Sequence, residues 1–151
     1  MSFRVVEEAN GRGLQTERCI AAGDVVIELS GRWVVAPSKY TIQLGEGQHL
    51  EPEDHQWALI NHSCRPNLRV DCERKIMLAT RDIALGETLS FNYLSTEWDM
   101  AAPFPCLCRA EHCFVTISGA RYLTAQQRRE HMAWLHASPA VDFESTLMVA
   151  V

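Results

Sequence analysis

Short apolar and β-branched runs, separated by Gly, Pro, Asn and Asp, recur through the first two thirds of the chain. This pattern is typical of many short strands, so the chain is expected to be mainly β. It predicts strands at residues 4–7, 25–29, 40–44, 68–72, 76–80 and 88–92. Two turn signals, Gly45-Glu46-Gly47 and Glu73-Arg74, each join neighbouring runs and predict β-hairpins.

Helical patterns are confined to two places. A short turn is expected at residues 53–59, because Pro52 suits the first helical position. A longer helix is expected at residues 125–137, with Thr124 as its cap and Gln127 at the capping-box position. Residues 141–151 are compatible with a terminal strand, a partner-binding arm or a frayed tail.

The composition indicates one domain. At 151 residues and 47% hydrophobic, the chain is long enough for a core of its own, which is expected to include the isolated cysteines Cys19 and Cys72. No apolar run reaches the ~18 residues of a membrane helix, and the start lacks the apolar core of a signal peptide. We therefore expect no membrane association and no secretion, but a cytoplasmic location, or a nuclear one in a eukaryotic host. The net charge of −5 argues against direct binding of nucleic acid and fits a basic partner better.

Four of the six cysteines are spaced so that one metal ion could gather them. Cys106, Cys108 and Cys113 form a C-x-C-x4-C loop whose thiolates can bind Zn²⁺, and Cys64 is the candidate fourth ligand. His112 is a competing ligand, and free thiols or a disulfide are the remaining alternatives. In a reducing compartment, clustered cysteines bind metal more often than they form disulfides.

Two further segments combine polar and aromatic residues. Asn61-His62-Ser63-Cys64 precedes a proline and, on its own, is compatible with a polar turn or, less readily, a thiol nucleophile. Residues 81–93 form a turn at Gly86 followed by a strand that ends in two aromatics. Because strand side chains alternate, Phe91 and Tyr93 are expected on one face, either of an ordinary amphipathic strand or of a pocket wall.

These segments, in this order, resemble the SET-domain family of protein lysine methyltransferases. Gly11-Arg12-Gly13-Leu14 is similar to the family's G-x-G opening, residues 60–64 to its I-N-H-S-C motif, and residues 81–93 to its R-D-I…G-E-E-L-x-F-D-Y segment. Residues 106–113, followed by Gly119 and Leu123, resemble its cysteine-rich post-SET segment. The chain departs from the pattern at a few positions: Ala58-Leu59, Asn92 and Phe114-Val115.

The resemblance implies a SET domain of the β-clip type, with several small curved sheets and a knot-like crossing of the Asn-His and Tyr segments. It also implies a division into a SET domain at residues 1–100, a zinc-bound post-SET loop at 101–123, and a C-terminal helix and tail at 124–151. In family members with this tail, the post-SET cysteines share zinc with the cysteine of N-H-S-C. This agrees with the ligands expected from metal chemistry: Cys64, Cys106, Cys108 and Cys113.

The resemblance further implies roles for site residues. Tyr93 matches the family's essential tyrosine, and Tyr40 falls where many members place a channel tyrosine that contacts the amine. Phe91 falls at a position where Phe leaves room for methylation beyond the first methyl. The cofactor S-adenosyl-L-methionine is expected to contact residues from several segments: Gly11, Arg12, Gly13, Asn61, His62, Tyr93, Phe114 and Ile117.

The implied activity is methyl transfer from S-adenosyl-L-methionine to a lysine ε-amine of a basic protein, such as a histone, a histone-like protein or a ribosomal protein. The alternatives are a SET-fold enzyme acting on a small molecule and an inactive module that binds a peptide. The segment between Tyr40 and Asn61 is short compared with larger relatives. The substrate groove is therefore expected to be open, to borrow a wall from a partner as in a homodimer, or to use residues 141–151.

Overall fold

The computed structural model describes residues 2–53 and 56–130. In chain order the strands of this part are β1 (Phe3–Glu8), β2 (Gly11–Thr16), β3 (Val25–Glu28), β4 (Gly31–Val34), β5 (Ile42–Gly45), β6 (Gln48–Pro52), β7 (Asn61–His62), β8 (Leu68–Asp71), β9 (Ile76–Ala79), β10 (Ser90–Phe91), β11 (Phe104–Pro105) and β12 (Thr116–Ile117). Three 3₁₀ turns lie at Trp57–Leu59, Tyr93–Ser95 and Ala120–Tyr122, and the helix α1 begins at Ala125 and is described to Glu130. The expectation of a mainly β chain of short strands is confirmed.

The described strands form small separate sheets. β1 pairs with β2, β11 pairs with β12, and the two three-stranded sheets have the orders β4-β6-β5 and β3-β9-β8. The hairpins expected at Gly45-Glu46-Gly47 and at Glu73-Arg74 are confirmed as the antiparallel pairs β5–β6 and β8–β9. The remaining pair, β7 with β10, is parallel and brings the Asn-His segment beside the segment that leads to Tyr93.

One continuous core joins these sheets. Its most buried side chains come from strands and loops along the whole described chain: Leu14, Ile42, Ile60, Leu68, Met77, Ile83, Leu89, Leu94 and Ile117. Phe114 and Ile117, from the cysteine-rich tail, belong to the same buried cluster as Leu14. The tail therefore packs on the core that the strands build.

Three local expectations are corrected. Tyr40 precedes β5 and is 51% exposed, because Ser38 and Thr41 hydrogen-bond to each other and close a turn there. Cys19 is exposed, since the Thr16 hydroxyl bonds to the Arg18 carbonyl and turns the chain outward after β2. Of residues 88–92 only Ser90–Phe91 is strand.

The helical expectations hold in part, because Pro52 is the last residue of β6 and does not begin a helical turn. Trp57–Leu59 is a 3₁₀ turn, whereas residues 54 and 55 of the expected turn lie outside the described residues. At α1 the capping box is reciprocal, because the Gln127 N–H donates to Thr124 Oγ1 and the Thr124 N–H donates to Gln127 Oε1. Residues 131–137 of the expected helix and the tail at 141–151 are outside the described part. Among the described helices, none combines the length and apolarity of a membrane span.

Gly119 fixes the path of the chain between the tail and the segment after Tyr93. Its φ is +125°, and a Cβ there would lie 2.3 Å from the Trp98 carbonyl oxygen. Gly119→Ala is therefore expected to lower the free energy of unfolding by about 2 kcal/mol or more, measured by urea denaturation. Gly23→Ala is the matched control, because Gly23 also has a positive φ, +86°, but no atom within 4 Å of the added Cβ. Equal losses in the two variants would contradict the steric explanation.

Candidate active site and four-cysteine cluster

The parallel pair of β7 and β10 is the centre of the candidate site. Ser90 is opposite Asn61 and Phe91 is opposite His62 in the register. Just after β10, the Tyr93 N–H donates to His62 Nδ1 at 3.0 Å. The Asn-His motif and the tyrosine are thus joined directly by hydrogen bonds.

His62 is a neutral imidazole with an assigned tautomer. Burial lowers its pKa to about 3, and its Nδ1 accepts the bond from Tyr93, so Nε2 carries the proton. Nε2 lies 3.3 Å from Cys64 Sγ, to which it can donate. His62 therefore connects Tyr93 on one side to the cysteine cluster on the other.

A narrow aromatic pocket lies on one side of the β7–β10 crossing, the point where these two strands pair. Its volume is about 40 Å³. The Phe91 and Tyr93 ring centroids are 4.7 Å apart, and both rings line the pocket, as expected for one wall. Tyr40 lines it as well, from its half-exposed position before β5. Several other residues complete the lining: Ser38, Lys39, Thr41, Ile42, Trp57, Ala58, Ile60, Glu97, Met100, Ala101 and Ala102.

Tyr93 keeps its proton in this pocket. Burial raises the pKa of its hydroxyl above the ordinary value, and the charges of Glu97 and Glu8 act in the same direction. The hydroxyl donates to the Ile60 carbonyl oxygen at 2.7 Å. The group is thus held in one orientation and suited to positioning a reactant, not to removing a proton.

Glu97 is a pocket residue that the sequence patterns did not single out. It follows the 3₁₀ turn at Tyr93–Ser95, and its own N–H donates to the Tyr93 carbonyl at 2.8 Å. The carboxylate is buried and accepts a hydrogen bond from the Gln43 N–H at 2.9 Å. Burial raises the pKa of Glu97 to about 7, against the opposing effect of that hydrogen bond.

A second cavity of about 230 Å³ lies on the other side of the crossing. It is lined from four segments of the chain: Glu8, Ala9 and Asn10 at the turn from β1 to β2; Asn61, His62 and Ser63; Thr88, Leu89 and Ser90; and Leu107 and Cys108 in the tail. Phe91 of β10 lines the narrow pocket, and Ser90, its neighbour in the same strand, lines this second cavity. Leu107 and Cys108 were not expected as lining residues, although both lie in the C-x-C run.

The G-x-G segment contacts this second cavity indirectly. The Asn61 Nδ2 donates to the Arg12 carbonyl at 3.0 Å and to the Glu8 carboxylate. The Glu8 side chain occupies the space beside Gly13, where an added Cβ would lie 2.7 Å from it. Gly11 adopts a φ of +116° at the start of β2. Phe114 and Ile117, in contrast, are core residues and are not part of the cavity lining.

The four predicted cysteines form a cluster. Their sulfur atoms all lie within 4.8 Å of one another, with Cys64 to Cys106, Cys64 to Cys113 and Cys108 to Cys113 at 3.8, 3.8 and 3.7 Å. A tetrahedron with Zn–S bonds of ~2.3 Å has sulfur atoms ~3.8 Å apart, whereas a disulfide needs ~2.05 Å. The cluster therefore has the dimensions of a metal site, and His112 is not a member of the group that the described residues form.

The backbone of the cysteine loop is arranged around these sulfur atoms. The Phe114 N–H donates to Cys64 Sγ at 3.3 Å and the Val115 N–H to Cys113 Sγ at 3.4 Å. Arg109 and Val115 adopt positive φ angles of 57° and 68°. For a β-branched residue such as Val115 this conformation is strained and needs support from the surrounding structure.

The sequence of the chain is similar to those of known proteins. The SET domain family model matches residues 11–94. Methyltransferase flvH of Aspergillus flavus is 38% identical over 96 residues, which cover 61% of this chain and 53% of that protein. Histone-lysine N-methyltransferase 2B of Homo sapiens is 32% identical over 126 residues, covering 69% of this chain and 5% of that protein. The chain therefore spans about half the length of the first relative and a small part of the second.

The fold also matches solved structures. The crystal structure of KRYPTONITE in complex with mCHH DNA, H3(1-15) peptide and SAH has a TM-score of 0.61 at 23% identity, over 76% of this chain and 29% of that chain. The family model covers more than half of the chain, and the small sheets and the crossing of β7 and β10 have the expected arrangement. The chain belongs to the SET domain family.

Proposed function

We propose that the chain is an S-adenosyl-L-methionine-dependent protein-lysine N-methyltransferase that acts on a basic protein. The observation that carries the proposal is the pair of cavities on either side of the β7–β10 crossing, with the Tyr93 hydroxyl fixed in the narrow one. Relatives named as histone-lysine N-methyltransferases, from Homo sapiens and from fungi, support this activity. A histone or another basic nuclear protein is the favoured substrate class.

The second cavity is proposed to hold the cofactor. S-adenosyl-L-methionine supplies a methyl group on a positively charged sulfonium. The cavity fits a polar ligand, because Asn61, Ser63 and Glu8 contribute polar groups to its lining. We propose that Asn61 and His62 bind the cofactor, with the backbone of Gly11, Arg12 and Gly13 beside them. Phe114 and Ile117 lie in the core. Their packing on the adenine stays a prediction.

The cysteine cluster is proposed to hold a structural Zn²⁺. The four sulfur atoms have the spacing of a closed tetrahedral site, in which no ligand position remains for a substrate. Cys64 directly follows the Asn61-His62-Ser63 segment, and Cys108 lines the cofactor cavity. We propose that the ion fastens the post-SET segment at residues 101–123 over the SET domain at 1–100, with 124–151 as a helix and tail.

The narrow pocket is proposed to take the lysine side chain. A lysine amine has a pKa of ~10.4, and desolvation in a confined aromatic pocket favours its neutral, nucleophilic form. The Tyr93 hydroxyl orients the amine, with Phe91 beside it and Tyr40 at the more exposed end. Since Phe91 has no hydroxyl that would occupy space or bind water, we propose that transfer continues past the first methyl.

A second candidate is methylation of a small amine. Between β6 and β7 the described residues contain only the short 3₁₀ turn at Trp57–Leu59, so little chain is available there to form a wall for a peptide. The relative from Aspergillus flavus is named only as a methyltransferase. An open groove would admit small amines, and a homodimer or residues 141–151 would restore a peptide groove.

Incubation with methyl-tritiated S-adenosyl-L-methionine tests both candidates. Core histones, a basic protein fraction of the host and small primary amines such as cadaverine are offered in separate reactions. We expect label on a lysine of a protein, located by mass spectrometry, with dimethyl product at excess cofactor. Label only on the small amine would favour the second candidate, and no label with any acceptor would contradict methyl transfer.

A further inference from the structure

Glu97 is a buried carboxylate in the wall of the narrow pocket. Only 8% of the residue is exposed, and it lines the same pocket as Phe91 and Tyr93. The chain folds back at this point, because the Glu97 N–H donates a hydrogen bond to the Tyr93 carbonyl after the helical turn. The Ala120 N–H holds the Glu97 carbonyl from the tail at 2.9 Å. The backbone of Glu97 is thus fixed from two sides, and its carboxylate is held by the Gln43 N–H.

This carboxylate has no cationic partner among the described residues. The ion pairs of that part of the chain involve Glu51, Asp71, Glu87 and Asp99. The groups that favour the charged form of Glu97 are the Gln43 N–H and the Thr96 hydroxyl. A buried carboxylate that lacks a counter-ion is unfavourable in a folded protein, so a cation in the pocket would compensate it.

The other titratable groups that line the pocket are Tyr93, Tyr40 and Lys39. The Tyr93 hydroxyl keeps its proton and donates a hydrogen bond to the Ile60 carbonyl oxygen. Tyr40 is half exposed, and Lys39 places its Nζ 5.5 Å from the Tyr40 ring centroid. A lysine ammonium that enters this pocket therefore meets one buried group that can take a proton near neutral pH.

We propose that Glu97 binds the ammonium of the substrate and accepts its proton before methyl transfer. The inference rests on the proposed function and names its substrate as a primary or methylated amine that arrives as a cation. One N–H bond of the ammonium breaks, an O–H bond forms on Glu97, and the electron pair stays on nitrogen. That pair forms the new bond to the methyl carbon, while the carbon–sulfur bond breaks with its electrons to sulfur. The methylated ammonium leaves, and Glu97 returns its proton to water.

Glu97→Gln tests the role of the charge. The glutamine amide oxygen can still accept the bond from the Gln43 N–H, so the fold should persist. Because folding raises the pKa of Glu97 above that of the unfolded chain, the charge destabilises the native state above neutral pH. The variant should consequently melt at or above the temperature of the wild type at pH 8. Glu73→Gln, in the exposed β8–β9 turn, is the matched control and should change nothing.

The kinetic test is the pH dependence of kcat/KM with the best acceptor from the labelling assay. Glu97→Gln is expected to lower kcat/KM by about 100-fold at pH 7. The defect should shrink to under about 10-fold at pH 9.5, because the neutral fraction of an amine with a pKa of ~10.4 rises about 300-fold over that range. The wild type should lose activity as pH falls through about 7, where Glu97 becomes protonated, and the variant should lack that inflection. A defect of the same size at every pH would overturn the proposal.

A binding test needs no turnover. The chemical shift of the Gln43 amide proton reports the state of the carboxylate that it contacts. Titration of n-butylamine at pH 8 should shift this signal in the wild type, with affinity at least about 10-fold weaker in Glu97→Gln. Equal affinities, or no binding to the wild type, would overturn the proposed amine site. If butylamine binding depends on Glu97 while no acceptor is methylated, the amine site stands and the proposed function fails.

Discussion

Replacing Tyr93 with Phe is expected to lower kcat for methyl transfer by about 100-fold, with a smaller change in KM. The hydroxyl is the polar group that the structure fixes in the aromatic pocket, at 2.7 Å from the Ile60 carbonyl. Without it the amine loses its orienting partner, and the carbonyl loses its donor, which costs about 1–3 kcal/mol of stability. Initial rates with labelled cofactor and a thermal melt measure the two effects separately.

Tyr40→Phe is the matched control for this prediction. Tyr40 lines the same pocket but is half exposed, whereas Tyr93 is buried in it. Its loss is expected to change kcat less than about 10-fold. Equal rates for Tyr93→Phe and the wild type would remove Tyr93 from the mechanism.

Removal of zinc is expected to have the second large effect. The purified protein should contain one zinc ion per chain by elemental analysis. Chelation should lower the melting temperature by about 10 °C or more, because the strained loop at Val115 loses the ion that supports it. It should also weaken binding of S-adenosylhomocysteine in calorimetry, since Leu107 and Cys108 line the cavity that is proposed to hold the cofactor.

Two serine variants separate the metal from thiol chemistry in general. Cys106→Ser removes one ligand and should reproduce both effects of chelation. Cys19→Ser removes an exposed cysteine outside the cluster and should leave zinc content, melting temperature and cofactor affinity unchanged. A zinc-free protein that melts and binds like the wild type would contradict the proposed role of the cluster.

Local chemistry was sufficient to predict much of the site. The period of two along a strand predicted Phe91 and Tyr93 on one face, and the structure places their ring centroids 4.7 Å apart. Thiol spacing predicted the cluster of Cys64 with the three tail cysteines, and the structure brings their sulfur atoms together. In both cases the residues that form the sequence pattern are the same residues that are in contact in the structure.

The positions of Glu97 and Tyr40 could not be predicted from local sequence patterns. Glu97 stands in a polar stretch, and its burial depends on Gln43, 54 residues away, and on the tail at Ala120. No local pattern reports such contacts. Tyr40 was expected in a strand, but the hydrogen bonds between Ser38 and Thr41 form a turn instead. Side-chain bonding to the backbone outweighed the β propensity of this short apolar run.

The parallel pairing of β7 with β10 has a consequence for how the chain folds. These strands are short, and the contacts around them join distant residues: Asn61 with Glu8, and Cys64 with Cys113. Closing such long loops costs entropy before many contacts form, so folding of this region is expected to be slow and late. Hairpins such as β8–β9 can form first, from adjacent residues. Residues from Met100 onward contribute to the lining of both cavities, so neither cavity is expected to be complete until that segment has docked.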